Sequence, residues 1–289
     1  RCGFPGTKAG AVEVAASTNG QLTPPIMGAA DHATWLGTLV FDGARSFNGV
    51  VPDLDLHCAR VAASARAMGM TPPMEGPAIE VLAREGIALY PADAALYIRP
   101  MMWSREGGPG LISARPDSCA FALCIEDMAM PELRGMRLTL SPFCRPRPDM
   151  ALTEAKAACL YPNNGRMLAD AQARGFDNCV SLDPDGNVAE TATTNLFMVK
   201  DGVVKTPAAN GTFLAGITRK RVMTLLEAEG VEIEEATLTV ADLEQADEMF
   251  MTGNASKITG VTGFEGRDMQ IGPVTRQVRD LYWAWSGAS

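Results

Sequence analysis

The stretch Met130-Pro131-Glu132-Leu133-Arg134-Gly135 constrains this chain more than any other, because the hydrophobic pattern changes rhythm across it. A proline and a glycine punctuate the break, and a new strand signal, "MRLTLSPF", begins behind it. On the N-terminal side, residues 54–69, "LDLHCARVAASARAMG", place apolar and small side chains at helical spacing and stop at Gly69, with Asp53 in position to cap the start. The spacing predicts a second helix over 78–85, leading through Gly86 into a strand, "AALYIRPMMW", with "CAFALCIED" as its antiparallel neighbour.

On the C-terminal side, "NCVSLDPDGNVAETATTNLFMVKDGVVKTP" reads as a meander that turns at 184–186 and again at Asp201-Gly202. An amphipathic helix follows in "GITRKRVMTLLEAEG", with Thr218 as expected N-cap and Gly230 as its stop. Strand "VEIEEATLTV", a short helix from Asp242 and strand "DEMFMTG" complete this half. The expected organisation is a small N-terminal α+β domain at 1–129, a linker at 130–135 and a larger C-terminal α+β domain at 136–289. A chain of 289 residues with 47% hydrophobic content has enough apolar material for two cores.

The formal charge of −9 argues against a nucleic-acid or anionic-membrane partner, since both select for basic patches. The 7 cysteines form no C-x-x-C pair and only His32 and His57 accompany them, so no metal site is expected and the thiols suit a reducing, cytoplasmic compartment. No run of about 18 apolar residues occurs, and "RCGFPGTKAGAVEV" lacks the apolar core of a signal peptide.

Four local features carry chemistry, each with a plainer alternative. Lys156 sits among small residues in "LTEAKAACLYPNNGR"; it is either one solvated charge or an amine kept partly unprotonated for attack on a carbonyl. "FLAGITRKRV" opens a helix at Gly216 and Thr218, and "MTGNASKIT" is a strand-to-turn segment; each can aim backbone N–H groups at an anion, although most such segments bind nothing. Arg60 is either an exposed helical arginine or the cation of the same phosphate site. Glu190, ahead of the small-residue run "TATTN", is either a strand-edge carboxylate facing water or the partner of a protonated ring nitrogen, with Tyr161 near the ring's phenolic oxygen.

Taken in order, Arg60, "YIRP", "EAKAACLY", "VAETATTN", "LAGITR" and "MTGNASKIT" resemble the fold-type IV, pyridoxal-phosphate-dependent aminotransferases, and among them the branched-chain amino acid aminotransferases. The resemblance implies a D-amino acid aminotransferase-like fold of two α+β domains, with pyridoxal 5'-phosphate in the interdomain cleft. It implies that Lys156 forms the Schiff base and shuttles the proton, that Glu190 pairs with the pyridine nitrogen and that Tyr161 bonds the phenolate oxygen. Arg60, Ile217, Thr218 and Asn254 hold the phosphate on this reading. Tyr97 and Ala255 receive the substrate carboxylate, Arg99 favours acidic substrates such as glutamate, and Phe41 and Gly43 of "LVFDG" complete the substrate pocket. Amino transfer between a branched-chain amino acid and a 2-oxo acid, by a cytoplasmic homodimer, is what these roles add up to. Residues 99–115 are expected to form a mobile loop able to close the site.

The sequence also departs from the family pattern. Asn254 stands where Thr or Ser is common, Thr191-Ala192 replaces a Gly-rich pair after the acidic residue, and Leu36, beside Trp35, occupies a usually aromatic position. A D-amino acid transaminase, an (R)-amine transaminase and an aminodeoxychorismate lyase share the cofactor, but "YIRP" is a branched-chain-type signature. A non-catalytic binding module is disfavoured by Lys156, Glu190 and Arg60 occurring together.

Overall fold

The structure, a computed structural model, describes the backbone of residues 12–16 together with residues 26–132 and 134–287. Cys2, Leu133 and most of the opening segment lie outside the described residues. The chain divides into two compact units, Arg1–Ala129 with Glu154–Cys159, and Met130–Thr153 with Leu160–Ser289. Glu154–Cys159, inside the expected C-terminal domain, therefore belongs to the first unit.

The first unit runs β1 (Val12–Ala16), α1 (His32–Leu36), β2 (Leu39–Phe41), β3 (Ala44–Ser46), α2 (Leu54–Ala67), α3 (Gly76–Ile87), β4 (Leu96–Ser104) and β5 (Cys119–Asp127). Its sheet is ordered β1-β5-β4-β2, with β3 also paired to β4, and β4 and β5 are antiparallel as their sequences predict. Gly69, at φ 74°, follows the end of α2 as its stop. Asp53 precedes α2, but its backbone is left-handed and its side chain makes no capping bond, so the expected cap is corrected. Gly86 lies inside α3 rather than beyond it.

The expected loop at 99–115 is also corrected. Arg99–Ser104 are strand, and the shorter segment behind them is tied down: Gly107 bridges Ala114, Gly108 N–H donates to the Ser113 carbonyl at 2.8 Å, and His32 Nε2 lies 2.8 Å from the Leu111 carbonyl.

The second unit runs β6 (Met136–Leu140), α4 (Tyr161–Ala173), β7 (Asn178–Leu182), β8 (Val188–Thr191), β9 (Asn195–Lys200), β10 (Val203–Pro207) and α5 (Ile217–Ala228). It continues through β11 (Ile233–Ala236), α6 (Val240–Glu244), β12 (Glu248–Gly253), β13 (Lys257–Phe264), β14 (Arg267–Asp268) and α7 (Pro273–Ser286). The sheet order is β11-β10-β9-β12-β13-β6-β7-β8, with β14 on β13. The meander is thus two hairpins, β7–β8 and β9–β10, that are not neighbours in the sheet order. Thr191 to Thr194 is the reason: Thr191 N–H and Oγ1 both donate to the Thr194 carbonyl, at 2.9 and 2.8 Å, and the tight turn redirects the chain.

Both faces of this sheet are covered, which is why β9 reads as an unbroken apolar run. Leu196 and Met198 enter one buried cluster with Val180 and Val261, while Phe197 and Val199 enter another with Val222 of α5 and Tyr282 of α7. Phe197 and Phe250 stand opposite each other in register and stack with ring centres 4.8 Å apart. The sheet, held from both sides, gives the strand ends fixed positions. α6 begins at Val240, two residues ahead of the predicted start, because Thr239 and Asp242 form a capping box.

Candidate active site

In the first unit Lys156 rides on the Glu154–Cys159 excursion, which lies along β2. Val40 bridges Ala157, Phe41 N–H donates to the Lys156 carbonyl at 3.2 Å, and Lys156 N–H donates to Ser64 Oγ of α2 at 3.1 Å. The flanking alanines permit this approach: Ala155 and Ala157 are buried at 2% and 0% exposure. Lys156 is half-buried, with Nζ 5.2 Å from the centre of the Phe41 ring. The small residues of "EAKAA" are thus packing residues, and the fully solvated reading of Lys156 is set aside.

Arg60 is no free helical arginine either. Its Nε and Nη2 donate to the two carboxylate oxygens of Asp42, at 2.6 and 2.9 Å, and His57 Nδ1 lies 2.7 Å from Asp42 Oδ1. His57 and Arg60 share a face of α2, three residues apart. Burial alone would raise the Asp42 carboxyl, but the Arg60 and His57 charges and their hydrogen bonds outweigh it and hold the group well below the usual carboxylate range. The two-point contact fixes the plane of the guanidinium, which a single ion pair would leave free to swing.

Strand β4 alternates, so Tyr97 and Arg99 share its half-buried face. The Arg99 guanidinium stands 5.1 Å from the Tyr97 ring centre and donates to Glu126 at 2.7 Å. The Tyr97 hydroxyl lies over Gly43, where a Cβ would come within 2.3 Å of it, so only glycine fits there. Opposite Tyr97 on β3 is Arg45, fully buried, donating to the Met128 carbonyl at 2.5 Å.

In the second unit one hydrogen-bond chain links Glu190 to the start of α5. Glu190, 8% exposed on β8, accepts from Asn195 Nδ2 at 3.2 Å and lies 3.3 Å from Arg145 Nε. Asn195 Oδ1 in turn accepts from Gly216 N–H at 3.1 Å. Gly216, and not Thr218, is the N-cap of α5; a Cβ on it would strike Asn195 Oδ1 at 2.1 Å. Thr218 is buried in the first helical turn, where the N–H groups of Ile217 and Thr218 have no carbonyl within the helix to bond. Thr252 of β12 stands opposite Asn195 in register, and Asn254 and Ala255 follow in the turn to β13. Thr252 Oγ1 and Asn254 Nδ2 are buried polar atoms with no partner among the described residues. Donors of this kind beside a helix N-terminus fit a phosphate group. Tyr161 opens α4 and is 37% exposed.

The partners of these groups, Asp42 with His57 beside Arg60 and Arg145 with Asn195 beside Glu190, are absent from the motifs that the sequence shows. A hint lay in "VFDGARSF", where two charges interrupt an otherwise apolar and small run.

The architecture and its likeness to known proteins define a fold-type IV enzyme that uses pyridoxal 5'-phosphate. Residues 39–264 match the class IV amino-transferase family, and the chain belongs to that family. It is 51% identical to an aminotransferase from Brucella abortus whose crystal structure holds the cofactor PLP, with a TM-score of 0.91 over 92% of this chain and 95% of that one. A branched-chain-amino-acid aminotransferase of Pseudomonas aeruginosa is 30% identical over 265 residues, covering 87% of this chain and 85% of its own. The branched-chain aminotransferase structure from Escherichia coli aligns at 28% identity with a TM-score of 0.83, over 91% of this chain and 90% of that one. No helix among the described residues is long and apolar enough to cross a membrane.

Proposed function

We propose that this enzyme moves amino groups between a branched-chain amino acid and a 2-oxo acid, with glutamate and 2-oxoglutarate as the partner pair. The observation that carries the reading is the chain Glu190–Asn195–Gly216, which ties a buried carboxylate to a helix N-terminus by hydrogen bonds of 3.2 and 3.1 Å. A ring that needs a carboxylate at its nitrogen and an anion cradle for its phosphate is served by one such arrangement. When bound, the cofactor supplies an electron-accepting ring.

Each side chain then has a task. Lys156 Nζ holds the cofactor and moves a proton at the substrate Cα. Glu190 keeps the ring nitrogen protonated, with Arg145 and Asn195 fixing its orientation, and Tyr161 donates to the phenolic oxygen. Arg60, the Ile217 and Thr218 N–H groups with the Thr218 hydroxyl, and Asn254 hold the phosphate. Tyr97 and the Ala255 N–H receive the substrate carboxylate, Phe41 and Gly43 shape the pocket beside them, and Arg99 selects an acidic side chain in exchange with Glu126. The names of the relatives from Pseudomonas and Escherichia support the branched-chain assignment. We place the enzyme in the cytoplasm as a homodimer, which sedimentation at two concentrations tests.

The reaction is tested by mixing the cofactor-loaded enzyme with single amino acids and following its absorbance as the pyridoxamine form appears. Leucine, isoleucine, valine and glutamate should convert it. Conversion by D-amino acids or (R)-amines alone would overturn the assignment.

A further inference from the structure

The hairpin joining β12 to β13 has Asn254, Ala255 and Ser256 as its loop and then, at Lys257, a residue with φ of 60°. Loops of this length end in a left-handed residue, and glycine is the usual one because it adopts that backbone without strain. A lysine here is doubly unusual, since Lys257 is also buried at 1% exposure. Its Nζ lies 2.7 Å from Asn254 Oδ1 and 6.0 Å from the centre of the Tyr282 ring.

An ammonium has donors only, so the end of the Asn254 amide that faces Lys257 is the carbonyl. The amino end is thereby turned the other way, and Asn254 Nδ2 is the buried donor with no partner among the described residues. Thr252 Oγ1, two positions earlier on the strand, shares that condition. A hydroxyl at position 254 would rotate to suit a phosphate by itself, whereas an amide has a right and a wrong end.

From this geometry we infer that Lys257 is a positioning residue for the cofactor's phosphate, holding the Asn254 amide with Nδ2 as donor. The inference rests on the assignment of Asn254 to the phosphate site. It accounts for the departure at 254 and for the lysine in a glycine position as two parts of one device. The buried ammonium stands one hydrogen bond behind the donor and reinforces it electrostatically.

The test strips the holoenzyme of cofactor and reloads it with either pyridoxal 5'-phosphate or pyridoxal, which lacks the phosphate, and compares the two dissociation constants. Lys257→Met should weaken pyridoxal 5'-phosphate about tenfold, as loss of one hydrogen bond to a charged group does, and leave pyridoxal unchanged. Combined with Asn254→Ala it should add nothing. In an Asn254→Thr background Lys257→Met should have no effect on the ratio. Lys257→Gly, which the left-handed backbone accepts, replaces Lys257→Met if that variant does not fold. Equal weakening of both ligands, or additivity with Asn254→Ala, overturns the inference. If Asn254→Ala shifts the ratio and neither Lys257 variant does, the inference falls and the phosphate assignment stands; if Asn254→Ala shifts nothing, both fall.

Discussion

Asp42 and Glu190 are both buried carboxylates set against an arginine, and they are used in opposite ways. Asp42, in the first unit, is fully buried and takes short bonds from Arg60 at 2.6 and 2.9 Å, with His57 Nδ1 and the Gly43 N–H each 2.7 Å away. Glu190, in the second, keeps 8% exposure and has longer contacts, 3.2 Å to Asn195 and 3.3 Å to Arg145. The charge of Asp42 is consumed in holding the Arg60 guanidinium still, and the proposed function makes Arg60 the working group there. The charge of Glu190 is oriented by longer contacts, and the proposed function makes the carboxylate itself the working group. Removing Asp42 should therefore injure the fold first, and removing the charge of Glu190 should injure the reaction first.

Asp42→Asn breaks this contrast most severely. Removing one member of a buried ion pair costs about 3–5 kcal/mol, which urea unfolding at neutral pH will read. The loss has a pH signature. The folded Asp42 carboxyl sits below its ordinary value of 3.8, so its stabilisation is complete above that pH and is lost as pH falls below it. The gap between wild type and variant should narrow in acid; a gap independent of pH would mean that the Asp42 charge is not what stabilises.

Glu190→Gln sharpens the other side. The first half-reaction should slow by about a hundredfold or more, the order seen when one preorganised electrostatic contact is lost, while cofactor affinity changes only a few-fold. Single-turnover absorbance measurements separate the two. Turnover close to wild type would remove Glu190 from the ring nitrogen.

Tyr97→Phe is the smaller change. Loss of one hydrogen bond to a charged group costs on the order of 1.5–3 kcal/mol, so KM for amino acids should rise roughly tenfold to a hundredfold. Amines without a carboxylate should be little affected. An equal loss for amines would move the carboxylate site elsewhere and favour an (R)-amine transaminase.

The same contrast separates what the sequence reveals from what it hides. Strand β4, the hairpins at Asp183–Asn187 and Asp201–Gly202, and the stops at Gly69 and Gly230 are local, set by alternation and by residues that tolerate φ above zero, and they are legible. Lys156, Glu190 and the Gly216–Thr218 helix start stand out as chemistry-bearing residues in small-residue settings. What holds them does not stand out. Asp42 reaches Arg60 across 18 positions of sequence, and Arg145 reaches Asn164 across 19. No local pattern marks a side chain whose partner is supplied by another element. The place of Glu154–Cys159 is hidden for a related reason: it is decided by bonds from the Lys156 backbone to the Phe41 N–H and the Ser64 hydroxyl, far away in the chain. Asn195 closes the small-residue run "TATTN" without any local mark of its role, yet it is the link between Glu190 and α5.

The lysine that carries the cofactor is the centre of the proposed site. Its competitors differ physically: Lys205 is a surface residue paired to Glu234 at 2.8 Å, and Lys257 is committed to Asn254 at 2.7 Å. Borohydride reduction of the loaded enzyme, followed by proteolysis and mass spectrometry, fixes the cofactor to whichever lysine holds it. The pyridoxyl group should be found on the peptide containing Lys156 and on no other; finding it on Lys257 or Lys205 would contradict the assignment of both units.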